Sequence, residues 1–394
     1  QYIYFPPRSI TLQSILLERV FHSGFLLNLE SLPNLTLEKV SILNSGNATP
    51  LAVYNSVTKH FIQNPNHYVQ KNITNPKELF CVSAVLVKNS FNLNIESVAI
   101  SNILCANATS NLDAPSMALN IIAPKGNTTL ASLNIFNIAG ASQAGLVLKV
   151  QSSFGNLVLR NIFLNNLFNS VDGILGIYIA NSLVVTNLTA SFCRGNIKGV
   201  MTTIGIQEVK IDNYNCNMCT SLSGNGAALI SKPGVLGTSA SLLHFTNSKF
   251  TECSCLNGRG AVLMLISESS NILVDLLITN LECNKVSALE GSCIFFNENL
   301  SFSRSQITQL AIKEAHSSIG APLDDYHFKG TLSISGMEVY NSTGKYCGLL
   351  GQYKDSGTKL TVSNFKGEGC RCSESVFSVS SMISNVEVYF ENLE

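Results

Sequence analysis

The chain of 394 residues has no tryptophan, only 13% charged residues and a formal net charge of zero. Its Lys and Arg form no basic run, which argues against a nucleic-acid partner, whose binding needs clustered positive charge. No stretch of about 20 apolar residues is present, so no membrane-spanning helix is expected. The opening lacks a signal-peptide pattern, and Gln1 in place of Met is what a processed product or a fragment would show. A helical apolar stripe is also missing. What is present, 45% hydrophobic residues and 27 glycines in a regular pattern, is too apolar and too ordered for a disordered chain.

The regularity is a repeat. Short apolar phrases end in Asn: "LNIFN" from Leu133, "LVLRN" from Leu157, "VVTN" from Val184, "VKIDN" from Val209, "LHFTN" from Leu243, "LLITN" from Leu276 and "LTVSN" from Leu360. The Asn residues are 137, 161, 187, 213, 247, 280 and 364, and the first six are separated by 24, 26, 26, 34 and 33 residues. A second apolar segment follows, often through Gly, as in "GAALI" at Gly226, "GAVLMLI" at Gly260 and "GSCIFF" at Gly291. Short strands at a period of a few tens of residues predict an all-β solenoid. Roughly twelve coils at about 4.8 Å each would make a stack about 60 Å long. The pattern predicts one solenoid domain over 10–394, preceded by an extended arm at 1–9. Loop insertions are expected near 57–80, which carries Pro65 and Pro76, and near 313–330.

Eight Asn-x-Ser/Thr sequons are candidate N-glycosylation sites: Asn34, Asn47, Asn72, Asn107, Asn127, Asn187, Asn299 and Asn341. Asn187 is the least favoured, because it falls at the repeated Asn, which is expected to form an inward amide ladder. The twelve cysteines are Cys81, Cys105, Cys193, Cys216, Cys219, Cys253, Cys255, Cys283, Cys293, Cys347, Cys370 and Cys372. Cys193, Cys219, Cys253 and Cys370 each stand six residues after a repeated Asn, so stacked coils could bring some within disulfide reach. Sequons and cysteines together predict an oxidising, extracellular or cell-surface location reached through the secretory pathway. Zinc held by "CNMC" and "CSC" is the competing reading, but a Cys-x-Cys pair suits a tetrahedral site poorly. No metal and no cofactor are expected, and the pairing of the cysteines stays open.

The Asn phrases, "FTECSCLNGRGAVLM" and the Gly-Ala openings resemble the repeats of pectin-lyase-like right-handed parallel β-helices. The resemblance is especially to polymorphic-outer-membrane-type repeats of large protist surface proteins, and it runs from about residue 8 onward. The resemblance implies a right-handed parallel β-helix. It leaves function open, since such folds serve polysaccharide enzymes, adhesins and surface coats.

An enzyme is not expected. Asp324 and Asp325, with His327 close by, are adjacent in one segment with no matching acid or base evident on neighbouring coils, whereas polysaccharide cleavage needs carboxylates converging on a face. Arg259, in its Gly-Arg-Gly turn, reads as a surface group. The ends are more informative. Val386, Val388 and Phe390 form a final strand with no visible polar cap, and Tyr2, Tyr4 and Phe5 suit an arm that docks on an apolar surface. The expectation is an extracellular structural glycoprotein that assembles head-to-tail with itself into a filament or coat. The alternatives are a section of an adhesin or receptor ectodomain and, third, a polysaccharide-active enzyme.

Overall fold

The structure is a computed structural model that describes residues 9–18, 27–32, 34–43, 52–55, 60–63, 84–104, 118–122, 124–140, 148–151, 155–169, 172–234, 240–255, 257–267, 272–297, 300–326, 329–353, 358–381 and 386–394. The protein is an all-β parallel β-helix. It divides into two compact units, Gln1–Val184 and Val185–Glu394.

In the first unit, Ser9–Gln13, Asn34–Glu38, Asn92–Leu104, Thr128–Gly140 and Asn156–Asn169 stack in one parallel column. Leu27–Glu30, Val85–Lys88, Leu119–Ile122 and Leu148–Gln151 form another. The described exception to parallel pairing is a hairpin, Ala52–Asn55 against His60–Gln63, which overlaps the start of the insertion expected at 57–80. Residues 64–80 lie outside the described residues.

The second unit repeats the plan. Ser241–Thr251, Leu273–Asn284, Ser301–Lys313, Lys329–Tyr340, Thr358–Glu368 and Val386–Leu393 form one column. Leu229–Pro233, Leu263–Leu265, Ile294–Phe296, Leu323–Tyr326 and Thr343–Tyr353 form a second. Residues 313–326 hold an ordinary place in this stack. His316–Ser317 pairs with Ser287–Ala288 before it and Thr343–Gly344 after it, so this stretch of the segment expected as an insertion near 313–330 is coil. Its polar composition belongs to a corner.

The repeated Asn is itself a corner. In the second unit Asn187, Asn213, Asn247, Asn280, Gln309, Asn364 and Asn392 all have φ between 49° and 57°. Asn tolerates this left-handed conformation better than most residues, and Gly336 serves in its place at φ 67°. The side chains then hydrogen-bond from coil to coil. Asn213 Nδ2 donates to Asn187 Oδ1 at 2.7 Å, Asn280 to Asn247 at 3.0 Å and Asn392 to Asn364 at 3.0 Å. These amides lie on the exposed corner and do not point inward as expected, because a left-handed residue turns its side chain away from the packed interior.

A second left-handed corner follows five residues later, at Phe192, Met218, Glu252, Lys285, Glu314, Asn341 and Gly369. The cysteines six residues after the first corner are therefore the first residues past the second. Cys193, Cys219 and Cys253 are buried there, while Cys370 is half-buried. The two-corner plan also re-registers one phrase. Asn137 stacks on Asn102 and Asn166, at 3.0 and 2.8 Å, and not on Asn161. It belongs to the second corner of its coil, so the 24-residue step to Asn161 joins unlike positions.

Inside the coils, columns of Leu, Ile and Val are almost fully buried, each side chain contributing about 1.5–3 kcal/mol. In the second unit Tyr214, Phe245 and Phe250 add an aromatic cluster, with Tyr214 edge-on to Phe250 at 5.1 Å and Phe245 stacked on Phe250 at 5.8 Å.

Candidate functional site

The Gly-Arg-Gly turn is built for contact between coils. Gly258 lies so close to the Gly224 carbonyl that a Cβ would collide with it, and Gly260 has φ 64° with Met264 beneath. The Arg259 N–H donates to Asn225 Oδ1 at 2.8 Å. Its guanidinium reaches Glu290 on the next coil, Nε to Oε2 at 2.7 Å and Nη2 to Oε1 at 3.5 Å, the shorter contact being an ion pair without hydrogen-bond alignment. The same guanidinium lies over the Phe295 ring at 5.1 Å. Arg259 is therefore tied into a coil-to-coil contact and is more than a surface group.

Asp324 completes this cluster from the following coil, an arrangement the sequence reading missed. It is 1% exposed, and neither carboxylate oxygen has a well-aligned hydrogen bond among the described residues, the Ala321 N–H being its nearest backbone donor. Burial, and then the negative charge of Glu290, push its carboxyl up to about 7, while the Ala321 N–H and Arg259 offset part of that rise. The two carboxyl groups and the guanidinium stand on three separate coils, at sequence separations that no local motif records. The Asp325 side chain and all of His327 lie outside the described residues. A sealed carboxyl can hold a proton, but with 1% exposure it presents no surface to a polymer substrate.

The described cysteines form three disulfides: Cys216–Cys219, Cys283–Cys293 and Cys347–Cys372, with Cα separations of 6.4, 6.0 and 5.5 Å. The stacked Cys193, Cys219 and Cys253 are not bonded to one another; Cys219 is bonded within its own coil to Cys216. Cys253, Cys255 and Cys370 are also outside these bonds, and Cys81 and Cys105 lie outside the described residues. The sulfurs of Cys216, Cys219 and Cys253 lie within 4.8 Å of one another. While the Cys216–Cys219 bond is intact, two of these sulfurs are not available as thiolate ligands for a metal.

Of the eight sequons, Asn34, Asn127, Asn187 and Asn341 are described, and Asn47, Asn72, Asn107 and Asn299 lie outside. Asn34 and Asn127 line one groove of about 330 Å³ in the first unit, with Thr36, Asn92, Asn94 and Thr129. Asn92 Nδ2 donates to Asn34 Oδ1 at 2.9 Å, and the Asn156 N–H donates to Asn127 Oδ1 at 3.3 Å. The Nδ2 atoms of Asn34 and Asn127, where a glycan would attach, have no partner among the described residues. Asn187 and Asn341 are left-handed corner residues. Thr343, the hydroxyl residue of the Asn341 sequon, is held by His316 Nδ1 at 2.9 Å.

The expected assembly residues divide. Tyr2, Tyr4 and Phe5 lie outside the described residues. Val386–Leu393 is paired to Thr358–Glu368 on one side only, among the described residues. Exposure changes abruptly along each interior column there. Val362 is 0% exposed and its ladder partner Phe390 39%; Phe365 is 4% exposed and its partner Leu393 47%. Val386 and Val388 are half-buried. In the first unit Ser9–Gln13 likewise pairs on one side, and Ile10 and Leu12 are half-buried where their partners Leu35 and Leu37 are 1% exposed.

Comparison with protein-family models, with curated proteins and with solved structures finds no match to this chain.

Proposed function

We propose that the protein is an extracellular structural glycoprotein whose coils stack head-to-tail, copy on copy, into a filament or surface coat. The observation that carries this reading is the one-sided strand Val386–Leu393. Its apolar column positions continue those of the coil before it and are exposed among the described residues, with Phe390 and Leu393 in the places that Val362 and Phe365 fill one coil earlier. An unpaired strand edge with an apolar face is a template for another strand. A coil like that of Ser9–Gln13, paired on one side only among the described residues and parallel to its neighbour, has the matching form. Such a contact joins unlike surfaces and does not close, so it propagates.

The three disulfides support an oxidising compartment, and the sequons support passage through the secretory pathway with N-linked glycans as covalent partners. Among the described residues no helix is long and apolar enough to cross a membrane. Membership of the pectin-lyase-like β-helices, close to polymorphic-type surface repeats, belongs to the same proposal. So does a non-enzymatic role, which the sealing of Asp324 favours.

Negative-stain electron microscopy and light scattering of the secreted chain test this, beside variants lacking residues 1–9 or carrying Leu393→Glu. Fibres that shorten or vanish in both variants support head-to-tail assembly. A monodisperse monomer at all concentrations refutes it and favours a section of an adhesin or receptor ectodomain, in which a further coil of the same polypeptide covers the edge.

A further inference from the structure

In one cluster of the second unit three buried sulfurs, those of Cys216, Cys219 and Cys253, share a single bond. Cys219 and Cys253 are equivalent positions on consecutive coils, since the Ser254 N–H donates to the Cys219 carbonyl at 2.9 Å and Glu252 and Met218 both hold the second corner. Cys216, two residues before that corner, points into the same interior. The Cys253 thiol is directed at the Cys216 carbonyl at 3.7 Å, and all three sulfurs lie within 4.8 Å of one another. Tyr214, fully buried, caps the group, its hydroxyl 3.9 Å from Cys216 Sγ and donating to the Ala228 carbonyl at 3.0 Å. Stacked strands place equivalent Cα atoms about 4.8 Å apart, inside the window of a disulfide.

We propose that Cys216, Cys219 and Cys253 form a thiol–disulfide exchange site, in which one crosslink moves between a position within a coil and a position between coils. The Cys253 thiol loses its proton and its sulfur attacks Cys219 Sγ. The Cys219–Cys253 bond forms as the Cys216–Cys219 bond breaks, and Cys216 leaves as a thiolate that takes up a proton. One disulfide and one thiol are present before and after, so no oxidant or reductant is consumed. The first bond joins cysteines at a sequence separation of 3, within one coil. The second ties one coil to the next across 34 residues and resists peeling of the stack. Burial keeps exchange slow in the closed protein, since it pushes the Cys253 thiol up to about 12 and the attacking species is the thiolate.

The test is disulfide mapping of the intact secreted chain. Samples held at pH 7 and at pH 9 are acid-quenched, alkylated under denaturing conditions, digested and analysed by mass spectrometry. Both crosslinked peptides, Cys216–Cys219 and Cys219–Cys253, are expected, approaching their final ratio about 100-fold faster at pH 9, because thiolate rises tenfold per pH unit below the thiol's pKa. Cys216→Ser is expected to hold only Cys219–Cys253, and Cys253→Ser only Cys216–Cys219. A single crosslink that no pH alters in the wild-type chain overturns the proposal, as does a Cys216→Ser chain in which Cys219 and Cys253 are both alkylated. Exchange that spreads equally fast to Cys283, Cys293, Cys347 or Cys372 also overturns it, because it then reports general unfolding.

Discussion

Replacing Asp324 by Asn should make the protein more stable above neutral pH and leave it nearly unchanged in acid. In the folded chain this carboxyl is pushed up to about 7 from the ordinary 3.8, first by burial and then by Glu290. The unfolded chain releases its proton near 3.8 and the folded chain only near 7, so the loss of stability runs between those values. Below pH 3.8 the group is neutral in both states and costs nothing; above about 7 the loss is complete and constant. At about 1.4 kcal/mol per pH unit, it sums to about 4 kcal/mol. Asn keeps the shape and cannot ionise, although its amide is no better satisfied than the acid. Denaturant midpoints measured from pH 3 to pH 9 should fall steeply for the wild-type chain between pH 4 and pH 7. They should fall less for Asp324→Asn, with the gap reaching its full size by about pH 8 and holding it to pH 9. Curves that run parallel throughout would refute a sealed, proton-holding carboxyl. Glu290→Gln provides an internal check: removing that charge should lower the pH at which Asp324 ionises and shrink the fall.

Other perturbations address the corners and the core. Asn247→Ala should cost about 1–2 kcal/mol through left-handed strain, plus the lost hydrogen bonds to Asp212 and Asn280, and Asn247→Gly should recover the strain portion in the same unfolding assay. Gly260→Ala combines φ 64° with a Cβ 2.8 Å from Met264 Cβ, so it should lower the thermal midpoint more than Gly336→Ala, whose corner has its nearest neighbour at 3.7 Å. Phe245→Ala removes a fully buried ring from the Tyr214 cluster and should cost about 3–5 kcal/mol by chemical denaturation.

Some of this protein was legible in its amino-acid order because the cause was local. Alternating apolar residues, glycines at tight approaches and an Asn able to turn a left-handed corner act over a few neighbours. They recur from coil to coil, so the β-solenoid could be read directly, while the parallel β-helix came from the resemblance of its repeats. The spacing of Cys193, Cys219 and Cys253 likewise announced a shared position. Other features needed the coils to be stacked. Asn137 looks like its fellows as a phrase but occupies the other corner, because coil length varies and register is decided by pairing across coils. Arg259, Glu290 and Asp324 share no motif; only three consecutive turns of the helix bring their charges together. Cys219 finds Cys216 across a corner in its own coil, while Cys253 waits one layer away. The sequence by itself determined the coil, through side-chain size and backbone preference. The tertiary stack decided which residues face one another, because ladder register, burial and Coulomb interaction act between coils that the chain separates by about thirty residues.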